Sequence, residues 1–113
     1  MASSDCVVLL GSHLGENMHN TQVQEFARAV ERRIPIIVVD PRFSVAASKA
    51  KYWLPIRPGT DLALLLAWCN VLVGEGRYDR EFVARHGHGF DKFAAAIKEN
   101  TPEWAAEETG IDA

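Results

Sequence analysis

Ile36-Ile37-Val38-Val39-Asp40-Pro41-Arg42 is the stretch around which the rest of this 113-residue chain can be interpreted. It is a run of mostly β-branched residues that ends on an acid, a pattern typical of a strand buried in a parallel sheet. A second segment, Leu54-Pro55-Ile56-Arg57-Pro58-Gly59-Thr60-Asp61, ends in a Pro-Gly turn with an acid at the start of a predicted helix. Acids at such positions in α/β sheets suit nucleotide binding, so the two segments together indicate a cofactor-binding domain.

The residues before and between these segments predict alternating strands and helices. Residues 6–10 are a short apolar run, predicted to be a strand buried on both faces, and residues 21–33 have the spacing of an amphipathic helix. The apolar side of that helix consists of Val23, Phe26, Ala27 and Val30. Residues 34–39 then complete a right-handed strand-helix-strand crossover. A short helix is predicted over residues 44–50 and a third short strand over residues 52–56.

Helices are predicted for the remainder of the chain. The first covers residues 60–73, with the Thr60 hydroxyl accepting hydrogen bonds from the first-turn amides and with Gly74 and Gly76 marking its end. Because apolar residues cover almost its whole circumference, this helix is predicted to be buried on several sides. Three shorter helices follow, over residues 79–86, 91–99 and 101–109.

The fold class that follows is α/β: a Rossmann-like three-layer sandwich with a short parallel sheet and a helical C-terminal part. The length predicts a single domain over residues 1–113, with an α/β core at 5–76 and a helical extension at 77–113. The formal net charge of -3 argues against a nucleic-acid partner, and no apolar run reaches the roughly 18 residues of a membrane span. Without a signal-peptide pattern, the chain as written is expected to be cytoplasmic.

Cysteine and histidine spacing gives no metal site. Cys6 and Cys69 are far apart in the sequence and are predicted to be small buried thiols. The histidines lack metal-ligand spacing and are predicted to lie at the surface. They are His13, His19, His86 and His88. No catalytic and no metal-ligating residue is assigned.

The loop over residues 11–17 is the first candidate for ligand contacts. In α/β sheets, ligands bind outside the carboxyl ends of the strands, and this loop follows the first strand. Gly11 permits close approach of the backbone, while Ser12 and Asn17 offer hydrogen bonds. The spacing is Gly-x-x-x-Gly and not the dinucleotide fingerprint Gly-x-Gly-x-x-Gly, so an ordinary strand-to-helix turn is the alternative.

Asp40 and Arg42 are the second candidates. An acid at the end of the second strand accepts hydrogen bonds from ribose hydroxyls in such sheets, and a planar guanidinium suits phosphate or a base edge. For Asp40 the alternatives are a cap on the short helix that follows or an ion pair with Arg42. For Arg42 the alternative is a solvated surface side chain.

Asp61 is the third candidate. A carboxylate has two acceptor oxygens that match the adjacent ring N–H and exocyclic amine of guanine, a pair of donors that adenine lacks. Gly59 and Thr60 belong to the same turn and would place backbone amides on the ligand. The alternative role of Asp61 is that of a helix-start acid favoured by the macrodipole.

With these residues in place, the chain resembles the molybdopterin oxidoreductase superfamily, the large enzymes related to dimethyl sulfoxide reductase and formate dehydrogenase. The likeness covers nearly the whole chain. It rests on Gly11-Ser12-His13-Leu14-Gly15-Glu16-Asn17, Val38-Val39-Asp40-Pro41-Arg42, residues 47–53, the segment from Leu54 to Asp61 with Ala63-Leu64, and Thr101-Pro102-Glu103-Trp104-Ala105-Ala106. The first loop and Leu64-Leu65-Leu66-Ala67-Trp68 look most like the polysulfide and thiosulfate reductase branch.

The resemblance implies a subdomain that binds one guanine dinucleotide arm of bis(molybdopterin guanine dinucleotide), with molybdenum or tungsten in the parent enzyme. The implied contacts are Gly11, Ser12 and Asn17 with the cofactor, Asp40 and Arg42 with the ribose and guanosine side, and Gly59, Thr60 and Asp61 with the guanine. Family members carry an iron–sulfur segment and a molybdenum-ligating residue ahead of the matching region, and this sequence has neither.

The chain is therefore expected to be a fragment that does not catalyse alone. Its expected partners are the remaining domains of the parent catalytic subunit and electron-transfer subunits. Two other functions are kept as alternatives: a stand-alone module for a guanine nucleotide or another dinucleotide, and a catalytically silent scaffold domain.

Overall fold

The architecture comes from a computed structural model, which describes residue 1 and residues 3–12, 14–16 and 20–113. The chain folds as two compact units, Met1–Ile56 and Arg57–Ala113. In the described residues, the first unit contains three strands and one α-helix, and the second contains four α-helices. The predicted α/β class, with a short parallel sheet followed by a helical C-terminal part, is confirmed.

The sheet of the first unit consists of β1 (Val7–Leu10), β2 (Ile36–Val39) and β3 (Tyr52–Leu54), hydrogen-bonded in that order. All pairing is parallel, with Leu10 opposite Val39 and Val39 opposite Leu54. The carboxyl ends of β1 and β2 are therefore level with each other. Since these strands end side by side, the loops that follow them leave the sheet at the same edge.

The core of the first unit lies between this sheet and α1 (Asn20–Glu31). Phe26 and Ala29 of α1 belong to one buried cluster with alternate residues of β1 and β2, including Val38, which is fully buried. The predicted apolar side of the helix is correct except at Ala27, which is exposed while Ala29 is buried. Both residues are small, so their chemistry alone did not distinguish them.

β1 is not buried on both faces as predicted. Val7 and Leu9 are in the core, whereas Val8 and Leu10 keep 43% and 41% of their surface exposed. A continuous apolar run does not itself reveal whether both faces of the strand are covered, and here burial alternates with the period of two that a strand imposes. The predicted pair of buried thiols is also wrong, because Cys6 is exposed and Cys69 is half-buried.

The segment between β2 and β3 is more irregular than the predicted short helix. Its only helical residues are one 3₁₀ turn, Ala47–Lys49. The Ser44 hydroxyl accepts a hydrogen bond from the Ala47 N–H at 3.2 Å, which supports the start of that turn. Ala50 then has an extended backbone and leads into β3.

The second unit contains α2 (Asp61–Gly74), α3 (Arg80–His86), α4 (Phe90–Ala96) and α5 (Pro102–Thr109), close to the four predicted helices. The Asp79 carboxylate accepts from the Phe82 N–H at 2.8 Å and caps α3. Helices α2 and α5 pack against each other. None of the described helices is long and apolar enough to cross a membrane.

α2 is less buried than its composition predicted. Ala63, Leu64 and Ala67 are buried, but Leu62 is 68% exposed and Leu72 is 45% exposed. An apolar circumference cannot indicate which side will have a neighbour, and the buried positions occupy only one side of the helix. The prediction that it is buried on several sides is wrong.

Replacing Val38 with alanine should lower the free energy of unfolding by about 2 kcal/mol, because two buried methyl groups are lost at about 0.8 kcal/mol each and a cavity remains. Val8→Ala is the matched control, since it makes the same change in the same sheet at a partly exposed position. It should cost less than about 1 kcal/mol. Urea unfolding of both variants measures the difference, and equal losses would contradict the described core.

The start of α5 should make stability depend on pH. The pKa of Glu103 is lowered because its carboxylate accepts a hydrogen bond from its own backbone N–H and a second from the Thr101 hydroxyl. A lowered folded-state pKa adds stability that is present above the unfolded pKa, about 4.3, and is lost as the pH falls through the folded value. The difference in unfolding free energy between the wild type and Glu103→Gln should shrink below about pH 4. A difference that stays constant between about pH 6 and about pH 3 would contradict this assignment.

Candidate functional site

The loop after β1 begins at the edge of the sheet. The Gly11 N–H donates to the Val39 carbonyl at 2.9 Å, so the chain leaves the sheet beside the end of β2. Ser12 is half-buried and Leu14 is buried in the core. Asn17, the third site residue predicted in this loop, lies outside the described residues.

Asp40 follows β2 directly and is only 4% exposed. Its Oδ1 accepts the Arg42 backbone N–H at 2.8 Å, and its carbonyl accepts the Trp53 Nε1–H at 2.8 Å. The carboxylate thus closes a local turn. Neither predicted alternative for Asp40 holds, because Ser44 supports the 3₁₀ turn and the guanidinium of Arg42 pairs with a different acid.

The second oxygen of the Asp40 carboxylate receives no hydrogen bond from the part of the chain that the structure describes. In that part, no fully buried side-chain oxygen lacks a partner. Because Asp40 is only 4% exposed, this oxygen keeps at most a small part of its surface accessible. A carboxylate that is fixed through one oxygen, and whose other oxygen has no partner in the described residues, can accept a hydrogen bond from a ligand hydroxyl.

The acid that pairs with Arg42 is Glu16, a residue the sequence did not single out. Glu16 Oε2 lies 2.5 Å from Arg42 Nη2, and Glu16 Oε1 accepts the Val45 N–H at 3.0 Å. The hydrogen bond and the negative charge of Glu16 raise the pKa of the Arg42 guanidinium above its ordinary value. The sequence did contain a signal, since an acid and a base lie in two loops that are predicted to leave the sheet at the same edge. Their pairing could not be predicted from it, because it depends on the register between β1 and β2.

In the second unit, the chain makes a turn just before α2. The Thr60 N–H donates to the Arg57 carbonyl at 3.3 Å, Pro58 occupies the second turn position, and Gly59 has φ of +85°. These are the features of a type II turn, which requires a positive φ at its third position. The glycine therefore sets the direction from which the chain enters α2.

Thr60 does not cap α2 in the predicted way. Its hydroxyl donates to the Arg57 carbonyl at 2.7 Å, and no first-turn amide donates to the side chain. The Thr60 carbonyl accepts the Ala63 N–H at 3.0 Å, as the residue before a helix does. Because the Thr60 hydroxyl is directed to the Arg57 carbonyl within the turn, it does not cap the first amides of α2.

Asp61 is the first residue of α2, and it is exposed. The first amides of a helix lack intrahelical partners and give this end a partial positive charge. An acid here is favoured by the macrodipole, as the alternative role predicted. Its exposed carboxylate also has the chemistry required to accept two parallel donors.

Arg57 fixes this turn to the end of α5. Its backbone N–H donates to the Thr109 carbonyl at 2.9 Å, and its Nη1 donates to the carbonyls of Glu107 and Glu108 at 3.2 and 2.6 Å. A guanidinium at a helix C-terminus satisfies carbonyls that lack intrahelical partners. A cavity of about 340 Å³ lies beside the turn, and its lining includes Gly59, Thr60, Leu66, Asn100 and Trp104.

The structure thus brings the predicted residues into two groups. Gly11, Asp40 and Arg42 lie at one sheet edge in the first unit, and Gly59, Thr60 and Asp61 are consecutive in the second. His86 and His88 are exposed, whereas His13 and His19 lie outside the described residues. Within the described ranges, no group of three or more metal-ligating side chains is close enough to hold a metal ion.

Comparison with known proteins gives the family. The model of the molybdopterin oxidoreductase family matches residues 1–98. The chain belongs to the molybdopterin oxidoreductase family. The resemblance found in the sequence is confirmed, and a domain of this family is consistent with a subunit of a molybdenum-cofactor enzyme.

Individual family members match almost the entire chain. The thiosulfate reductase molybdopterin-containing subunit PhsA of Salmonella typhimurium is 42% identical over 113 residues, covering 100% of this chain and 15% of the relative. The F420-dependent formate dehydrogenase subunit alpha of Methanocaldococcus jannaschii is 37% identical over 109 residues, covering 96% of this chain and 16% of the relative.

A solved structure agrees with these matches. Acetylene hydratase from Pelobacter acetylenicus has a TM-score of 0.91 and 36% sequence identity, over 96% of this chain and 15% of that one. The chain therefore spans about 15% of the length of the family members that it matches.

Replacing Gly59 with alanine should destabilise the second unit by about 1–2 kcal/mol, because a side chain is strained at positive φ. A Cβ there would meet no atom of the described part of the chain within 4 Å, so the loss comes from backbone conformation and not from a clash. Gly74→Ala is the matched control, because Gly74 is helical and also has open space around it. It should stabilise the protein by up to about 1 kcal/mol. Urea unfolding distinguishes the two, and similar changes in both would contradict the turn.

Proposed function

We propose that this chain binds the guanine dinucleotide part of a bis(molybdopterin guanine dinucleotide) cofactor, as part of a larger molybdenum- or tungsten-dependent oxidoreductase. The observation that carries the proposal is the buried Asp40 at the end of β2, which is held through one carboxylate oxygen and whose other oxygen has no partner in the part of the chain that the structure describes. Such an acid suits a ribose hydroxyl. Family membership supplies the class of cofactor.

The first unit fits the ribose and phosphate side of such a ligand. A Cβ at Gly11 would meet no atom of the described residues within 4 Å, so as far as these residues go a ligand has room to approach the backbone at the end of β1. Ser12 adds a hydroxyl and Arg42 a guanidinium that can bind phosphate oxygens. We assign Asn17 to the same side from its place in the loop.

The second unit fits the base. None of the residues that the structure describes would lie within 4 Å of a Cβ at Gly59, and the exposed Asp61 carboxylate follows it by two residues. Guanine offers a ring N–H and an exocyclic amine to a carboxylate, whereas adenine has no such pair of donors. We therefore propose that Gly59, Thr60 and Asp61 bind guanine and exclude adenine.

The variety among the relatives also supports a role in binding the cofactor. Proteins named as a thiosulfate reductase subunit, a formate dehydrogenase subunit and an acetylene hydratase match this same stretch at 36–42% identity. Their names point to different substrates, so the shared stretch is better explained by a shared cofactor.

When bound, the cofactor supplies two-electron transfer at its metal. The residues of this chain bind and orient its nucleotide end, and none is proposed to be catalytic. The proposed partners are the other domains of a larger catalytic subunit and electron-transfer subunits, with any iron–sulfur cluster in those parts.

GDP should bind to the chain and ADP should not, as followed by amide chemical shifts at Gly11, Asp40 and Asp61. Asp61→Asn should weaken GDP binding about tenfold or more, because a bidentate pair is lost. Asp91→Asn is the matched control, since Asp91 is another exposed acid in a first helical turn of the same unit. It should leave GDP binding unchanged.

Each other result has a definite meaning. Equal binding of GDP and ADP would exclude guanine recognition by Asp61. Absence of any nucleotide binding would favour the scaffold alternative. Tight GDP binding by the isolated chain would favour a stand-alone nucleotide module, because a fragment that makes only part of the cofactor's contacts should bind weakly.

A further inference from the structure

Glu16 connects the two loops of the first unit that carry candidate ligand contacts. One carboxylate oxygen lies 2.5 Å from Arg42 Nη2, and the other accepts the Val45 N–H at 3.0 Å. The residues that it joins are 26 and 29 positions away in sequence. Since both oxygens bind the same segment, Glu16 holds that segment at two separate points.

The residue before Glu16 is a glycine, and both its backbone conformation and the space around it favour this contact. Gly15 has φ of +90°, and a Cβ there would lie 3.1 Å from Val45 Cγ1. Any other residue would be strained in this conformation and would also push against the Val45 side chain. The two loops therefore approach closely at Gly15, which brings the Glu16 carboxylate within reach of Val45 and Arg42.

Arg42 is consequently held at both of its ends. Its backbone N–H donates to Asp40, and its guanidinium is bound to Glu16. The side chain keeps 55% of its surface exposed, and an exposed arginine has several rotatable bonds. Without Glu16, the guanidinium would lose a contact that fixes its direction.

We propose that Glu16 is a positioning residue: it orients Arg42 and the loop after β2 so that this loop meets the phosphate and ribose groups of a nucleotide ligand. The effect on the ligand rests on the proposed function. The contacts of Glu16 with Arg42 and Val45, called the bridge below, are seen in the structure and do not depend on that proposal.

The charge of Glu16 and its orientation of Arg42 predict opposite changes in GDP affinity when Glu16 is replaced by glutamine. Glu16→Gln removes a negative charge near an anionic ligand, so electrostatics alone would tighten GDP binding, most of all at low salt. If Glu16 acts by orienting Arg42, the same change should weaken binding, since the guanidinium loses one of the contacts that fix its direction. The glutamine keeps an oxygen that can accept the Val45 N–H, so this contact is retained.

The experiment is a double-mutant cycle on GDP affinity with Glu16→Gln, Arg42→Gln and the double variant. Glu16→Gln should weaken binding about threefold to tenfold, and it should have little further effect once Arg42 is replaced, since the two residues act as one unit. Glu25→Gln is the matched control, because it breaks the exposed pair with Arg28 on α1 and should leave GDP affinity unchanged. Tighter binding by Glu16→Gln, or additive effects in the cycle, would overturn the proposal.

Hydrogen exchange at the Val45 amide separates the bridge from the proposed function. Glu16→Ala should increase its exchange rate, while Glu16→Gln should leave the rate close to that of the wild type. If the wild type binds no nucleotide but Val45 behaves in this way, the proposed function fails and the bridge stands. If Glu16→Ala leaves Val45 exchange unchanged, the bridge is wrong whatever the ligand result.

Discussion

The parallel register between β1 and β2 is the constraint on which the first unit depends. It places Leu10 opposite Val39, so that Gly11 and Asp40 leave the sheet side by side. An exposed ion pair such as that of Glu16 with Arg42 contributes little stability by itself. The pair follows from the register and does not create it, since a slip of one residue would turn the apolar residues of the strand to the opposite face. The free-energy cost of exposing these apolar residues fixes the register, and the register keeps the two loops side by side.

In the second unit, local chemistry has the corresponding role. Pro58 and Gly59 suit a single turn type, and Arg57 fixes the start of this turn to the carbonyls at the end of α5. The turn delivers Asp61 to the amino end of α2, where the backbone already favours a negative charge. Position and charge are thus set by the backbone before any ligand is considered.

The features predicted correctly from the sequence were those that depend on local patterns. The strand β2 is readable from its apolar run, because the strand period involves neighbouring residues. The helix predicted over residues 101–109 is readable for a similar reason, since Thr101 and Pro102 at its start and Gly110 after its end are residue types typical of helix ends. Two other features are not local: whether another element covers a given face of a strand or helix, and which side chain from a distant part of the sequence pairs with a given residue. This is why the exposure of Val8 was missed and why Glu16 was not recognised as the partner of Arg42.

The two candidate acids differ in a way that fits different tasks. Asp40 is almost fully buried and fixed through one oxygen, so its remaining acceptor has a defined direction and is already largely desolvated. Such an acceptor suits a ribose hydroxyl. Every nucleotide has this group, so binding it depends on a well-placed acceptor and does not distinguish one base from another. Asp61 is exposed, and its carboxylate loses water only when a ligand arrives. The cost of that desolvation is recovered only by a partner that offers two donors, so an exposed acid at a helix start is better suited to distinguish one base from another.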